Sequence, residues 1–63
     1  SDKLYINNLP KETKNIEIIN IEGKVVLSID SVNTIDISAL TSGIYTIKFS
    51  GVEFSQTRNF VVK

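Results

Sequence analysis

Residues 34–49, TIDISALTSGIYTIKF, decide the reading of the whole chain. Ile35 and Ile37 alternate with Asp36 and Ser38, the period-two pattern of a strand with one buried face. Leu40, Thr41, Ser42 and Gly43 then make a polar corner, in which Gly43 can take a positive φ that a side chain would oppose. Beyond the corner, Tyr45, Ile47 and Phe49 face one way, while Thr46, Lys48 and Ser50 face the other. The stretch is therefore a short strand, a tight corner and a long strand that carries an aromatic core.

Towards the N-terminus, residues 15–20 (NIEIIN) form a strand with Ile16 and Ile18 on one face. Ile19 and Ile21 point the opposite way, which predicts a strand covered on both faces. Asn20 and Gly23 sit at the first and fourth positions of NIEG, the signature of a type I turn closed by a G1 bulge. A hairpin partner follows at residues 24–29, then a turn-rich link to residue 33. Residues 3–7 (KLYIN) predict a short first strand with Leu4 and Ile6 inward. Residues 9–15 form a loop, because Pro10 ends strand pairing and holds Leu9 out of the helical region. Towards the C-terminus, SGVE at residues 50–53 makes a hairpin loop. The last strand, residues 54–62, has Phe60 and Val62 on one face and Val61 on the other.

The expected fold class is all-β, a small antiparallel sandwich of six strands. A seventh would appear if residues 24–30 bent and switched sheets. Composition points the same way. Ten Ile, six Val and five Thr make β-branched residues a third of the 63, whereas Ala appears once and Met never. Such side chains are stiff at χ1 and pack well on a pleated surface. So short a chain buries only roughly 60% of the surface its unfolded form exposes. No cysteine can staple it, so the core must come from aliphatic packing.

Charge and chemistry exclude more than they assign. Seven basic and seven acidic residues are interspersed, with no basic footprint for nucleic acid and no polybasic membrane contact. The longest apolar runs are three residues, far short of a bilayer span. With neither His nor Cys, the usual general base and thiol nucleophile are missing, and catalysis is not expected. Glu22, Asp30, Asp36 and Glu53 lie in or beside turns and read as loop-solvating carboxylates, not as an acid/base pair or a calcium site. Asp36 and Ser38 read as caps of the turn at residues 39–41. Lys48, Arg58 and Lys63 read as solvated charges, and Tyr45 as a core anchor. No catalytic, cofactor-binding or metal-binding residue is assigned.

A Tyr just past a Leu-x-x-Gly corner resembles the tyrosine corner of immunoglobulin-like sandwiches, whose phenol bonds back to the corner backbone. Three segments then carry a wider resemblance: NIEGKVV (residues 20–26), IDISALTSGIY (residues 35–45) and a terminal RNFVVK (residues 58–63). In that order and spacing they resemble the C-terminal sorting domain of cargo proteins of the Bacteroidetes type IX secretion system. The resemblance runs from Leu4 to the last residue. The Pro-Asn-Pro segment that opens family members would precede Leu4 and is absent, and Arg58 stands where the family often has Lys.

The resemblance implies a signal and not an enzyme. It implies a domain at the end of a longer secreted protein, passing through the periplasm to the outer membrane and cell surface. Its implied partners are the outer-membrane translocon, its shuttle protein, a sortase-like signal peptidase and the passenger that precedes it. Carried over by position, the recognition candidates are Gly23, Lys24, Gly43, Tyr45, Arg58, Phe60, Val61 and Lys63. Physically, Gly23, Gly43 and Tyr45 shape the fold, and the terminal strand is the better candidate for direct reading, because an edge strand offers unpaired backbone groups. The alternative is a fibronectin-like accessory or carbohydrate-binding module, for which Tyr5 and Phe54 would have to supply the aromatic platform.

Overall fold

The computed structural model describes residues 3–63, and among them there is no helix. Six strands follow in order: β1 (Lys3–Tyr5), β2 (Asn15–Ile19), β3 (Val25–Asp30), β4 (Thr34–Asp36), β5 (Gly43–Ser50) and β6 (Ser55–Val62). Every pairing is antiparallel. β1 pairs with β4 in a small sheet, and the other four form a larger one in the order β3-β2-β5-β6. The expected all-β architecture of six strands is the one adopted. β3 keeps to one sheet throughout, so no seventh strand arises.

The core lies between the sheets. β2 contributes Ile16 and Ile18, β4 contributes Ile35, and β5 contributes Tyr45, Ile47 and Phe49. Leu4, Ile6, Leu27, Ile29, Phe60 and Val62 pack against this cluster, as their alternation requires. Each fully buried aliphatic or aromatic side chain contributes about 1.5–3 kcal/mol relative to exposure. With six in the centre of so small a chain, none is dispensable.

Two expectations are corrected. β2 is not covered on both faces: Ile19 is half-buried and Ile21 is 80% exposed. The small sheet packs on the inner face, Ile21 lies in the hairpin loop, and Ile19 is flanked across the strands by Val25 and Thr46. The strand at Ile35 also stops one residue earlier than its alternation implies. The Asp36 carboxylate accepts the Ser38 amide at 2.9 Å, an Asx turn that competes with strand pairing. Ile37 therefore opens a turn, its carbonyl accepting the Leu40 amide at 3.0 Å, although its side chain still packs on the core.

The β2–β3 hairpin follows the NIEG signature. The Gly23 amide donates to the Asn20 carbonyl at 2.9 Å, and Gly23 has φ +88°. The Asn20 side chain also accepts the amides of Glu22 (3.0 Å) and Lys24 (2.9 Å), which makes it the organiser of the loop. Ile18 pairs with Leu27 but Ile19 with Val25, so Val26 is an unmatched bulge residue that the alternation does not announce.

Gly51, in the β5–β6 loop, is required for a different reason. A Cβ there would fall onto the Phe54 ring and lie 2.5 Å from the Glu12 carbonyl oxygen. At Gly23 a Cβ would meet nothing within 4 Å, so only backbone strain opposes it. Gly51→Ala should therefore lower unfolding free energy by about 1–3 kcal/mol, through overpacking that no rotamer relieves. Gly23→Ala should cost about 1–2 kcal/mol, with part of the loss regained in Gly23→Asn, since Asn tolerates the left-handed region. Urea midpoints of the three variants check both statements, and a Gly51→Ala protein as stable as the parent would contradict the packing argument.

Candidate functional site

The terminal strand β6 pairs with β5 over eight residues, from Gly43 opposite Val62 to Ser50 opposite Ser55. Its other edge has no strand partner among the described residues. Phe60 and Val62 turn inward and are half-buried, whereas Val61 is 61% exposed on the outer face and Lys63 is exposed beyond the strand. Phe60 lies directly across from Tyr45, and the two rings stack with centroids 5.7 Å apart and planes 25° from parallel. β6 is thus anchored by one face and open along one edge.

Tyr45 closes the corner that precedes β5. Its hydroxyl donates to the Thr41 carbonyl oxygen at 2.7 Å, and the Thr41 hydroxyl lies 3.3 Å from the phenol oxygen. The side chain is almost fully buried, and Gly43 enters the strand at φ +154°. This is the tyrosine-corner arrangement that the Leu-x-x-Gly-x-Tyr spacing implies.

Seven of the eight candidate recognition residues come to one end of the larger sheet. Val62 and Val61 sit opposite Gly43 and Ile44, and Thr46 sits opposite Ile19, next to the hairpin that carries Gly23 and Lys24. Asn20, Ile21 and Glu22 of that hairpin line a shallow crevice together with Thr41–Tyr45 of the corner. The sequence reading missed what surrounds them. Ile44 (53% exposed) is the outer-face partner of Val61, and exposed Ile21 lines the same crevice as Ile44. Ile44 was legible, because it alternates with the inward Tyr45.

Arg58 is the exception, and its reading as a solvated charge is corrected. It sits mid-strand opposite Ile47, on the inner face. Its guanidinium donates to the carbonyl oxygens of Asn7 at 2.8 Å and Asn8 at 3.0 Å, and it lies 5.0 Å above the centroid of Phe49. Lys48 is half-buried on the outer face, between Glu17 and Thr57 in register.

Among the described residues no three His, Cys, Asp or Glu side chains approach closely enough to hold a metal ion. The Ser38 backbone amide, followed by the Ser38 hydroxyl and the charge of Lys3, holds the Asp36 carboxyl below its ordinary range. Tyr5 is 70% exposed, but Phe54 lies half-buried against Gly51, so no paired aromatic platform forms.

The fold and its exposed groups define an all-β sandwich module with a tyrosine corner, a terminal strand open along one edge and exposed apolar side chains at one end of the larger sheet. The family model for the secretion system C-terminal sorting domain matches residues 1–63. The chain belongs to that family, whose members carry the C-terminal signal of type IX secretion, and the family is not one of enzymes. Neither the curated proteins nor the solved structures gave a match.

Two outcomes follow from the corner and the turn beside it. Tyr45→Phe should lower stability by about 1 kcal/mol, the scale of one hydrogen bond, in a urea titration. A carboxyl depressed in the folded state adds stability above its unfolded pKa and loses it as pH falls through the folded one. Acidification through the carboxylate range should therefore destabilise the parent more than Asp36→Asn, and parallel acid titrations of the two would contradict the Asx-turn assignment.

Proposed function

We propose that this domain is the removable address at the end of a longer exported polypeptide. It directs that passenger across the outer membrane through the type IX translocon, with its shuttle protein, and a sortase-like peptidase then separates the two at the cell surface. Family membership supports export towards the surface. The observation that carries the finer reading is the geometry of β6: eight residues with one edge free of a strand partner among the described residues, with exposed Val61 opposite exposed Ile44 and Lys63 exposed just beyond the strand. A partner strand can add to such an edge through main-chain hydrogen bonds, while alternate side chains supply specificity.

β6 lacks two of the usual edge guards. It holds no Pro and no Lys, and its one charged side chain, Arg58, is turned inward. Natural sheets commonly protect long edges with Pro or Lys, among other devices, so an edge without either fits a strand kept open for pairing. Gly23, Gly43 and Tyr45 serve the signal by shaping the end of the sheet, Phe60 by anchoring the strand, and Lys24, Val61 and Lys63 by presenting exposed groups there.

Fusion of residues 1–63 to a reporter should export it from a type IX-competent bacterium, and removal of residues 60–63 should hold the reporter in the periplasm. Cell-surface labelling with fractionation reads both. Periplasmic retention by the intact fusion would overturn the sorting role, and full export by the truncated one would overturn the choice of the terminal strand.

A further inference from the structure

Among the described residues the two sheets share no strand: β1 pairs only with β4, and β6 only with β5. A crevice of about 180 Å³ opens between them, lined by Leu4, Ile6, Phe49, Arg58 and Phe60 among others. Arg58 spans it. Among the described residues its two bonds to the Asn7 and Asn8 carbonyls are the only side-chain hydrogen bonds joining residues 3–8 to β6. Asn8 has φ +58°, a left-handed conformation that Asn tolerates, and the two consecutive carbonyls converge there on one guanidinium. The same group roofs Phe49, which is fully buried although it borders the crevice.

We infer that Arg58 is a positioning residue of the signal: it clasps the Asn7–Asn8 loop to the terminal strand, and a partner reads the geometry it holds and not its charge. The chemistry favours this division of labour. A planar fork can serve two acceptors and lie over an aromatic face at once, whereas an ammonium is a point charge on a flexible stem. Charge-assisted bonds of this kind are among the stronger ones available to a small domain. The inward Arg58 and Phe60 hold β6, leaving Asn59 and Val61 on the strand and Lys63 beyond its end exposed for contact.

What the partner reads rests on the sorting function proposed above, but the clasp itself does not. The Ile6 amide, bonded to the Asn33 carbonyl at 2.8 Å, lies just before the clasped loop and serves as the probe. In Arg58→Lys and Arg58→Met, hydrogen exchange by NMR should show Ile6 exchanging about tenfold faster relative to the amides of β5, the scale of one charge-assisted hydrogen bond. A general loss of stability would speed both alike and would overturn the clasp, as would unchanged Ile6 protection in either variant. In reporter fusions both variants should lose export together. Parental export by Arg58→Lys with loss only in Arg58→Met would mean that the charge is read directly, and full export by both would mean that the clasp does not serve the signal; each overturns the assignment. Should the parent fusion itself fail to export, the sorting role falls while the exchange comparison still decides the clasp. Should Arg58→Met fail to fold, Arg58→Lys alone carries both readouts.

Discussion

Burial of one stripe on β5, formed by Tyr45, Ile47 and Phe49, is the constraint on which the remainder of the molecule depends. A chain of this length with no cysteine has neither a covalent staple nor a second core in reserve. The stripe meets Ile16 and Ile18 from the neighbouring strand and Ile35 from the opposite sheet, and the six together are the whole centre. The corner at residues 40–43 fixes where β5 begins, and the Tyr45 hydroxyl ties the ring to that corner at Thr41. A slip of one residue in β5 would turn all three side chains to solvent, so the corner sets the register of the larger sheet.

The sandwich is unequal, two short strands against four, and its functional features follow from that inequality. Three residues in β1 and three in β4 cannot roof a sheet whose last two strands, β5 and β6, run to eight. The inner face of β6 is therefore left partly open, and it is closed by a stack of Phe60 on Tyr45 and a guanidinium over Phe49 instead of by a third strand. Among the described residues no layer covers the outer face. Exposed Ile44 and Val61 near an edge with no strand partner among the described residues would be a liability in a free-standing domain, and they belong to the contact surface proposed for the signal.

Chain-local features were legible from residue types alone. The alternation in residues 44–50, the Asn-x-x-Gly hairpin and the Leu-x-x-Gly-x-Tyr corner each rest on contacts within a few residues, and each forms where the sequence places it. The misreadings share a cause. Ile37 and Ile21 continue an apolar alternation past the point where a backbone turn ends the strand, because the Asx turn at Asp36 and the loop organised by Asn20 override the pattern. Gly51 resembles any loop glycine until Phe54 and the Glu12 carbonyl are seen against it.

Arg58 separates the two kinds of information most clearly. Its place on an inward-facing position of the last strand follows from alternation, since it is two residues before Phe60. Its acceptors are Asn7 and Asn8, about fifty residues earlier, and no local pattern names them. By itself, the sequence determined the strands, the faces they bury, the two tight turns and membership of a sorting-domain family. Tertiary structure alone decided that two strands cover four, that the terminal strand is an edge, and that the hairpin, corner and tail meet at one end of the larger sheet. Local sequence encodes which side chains seek burial. Which distant elements supply that burial, and which groups are left exposed, is settled only when the sheets pack.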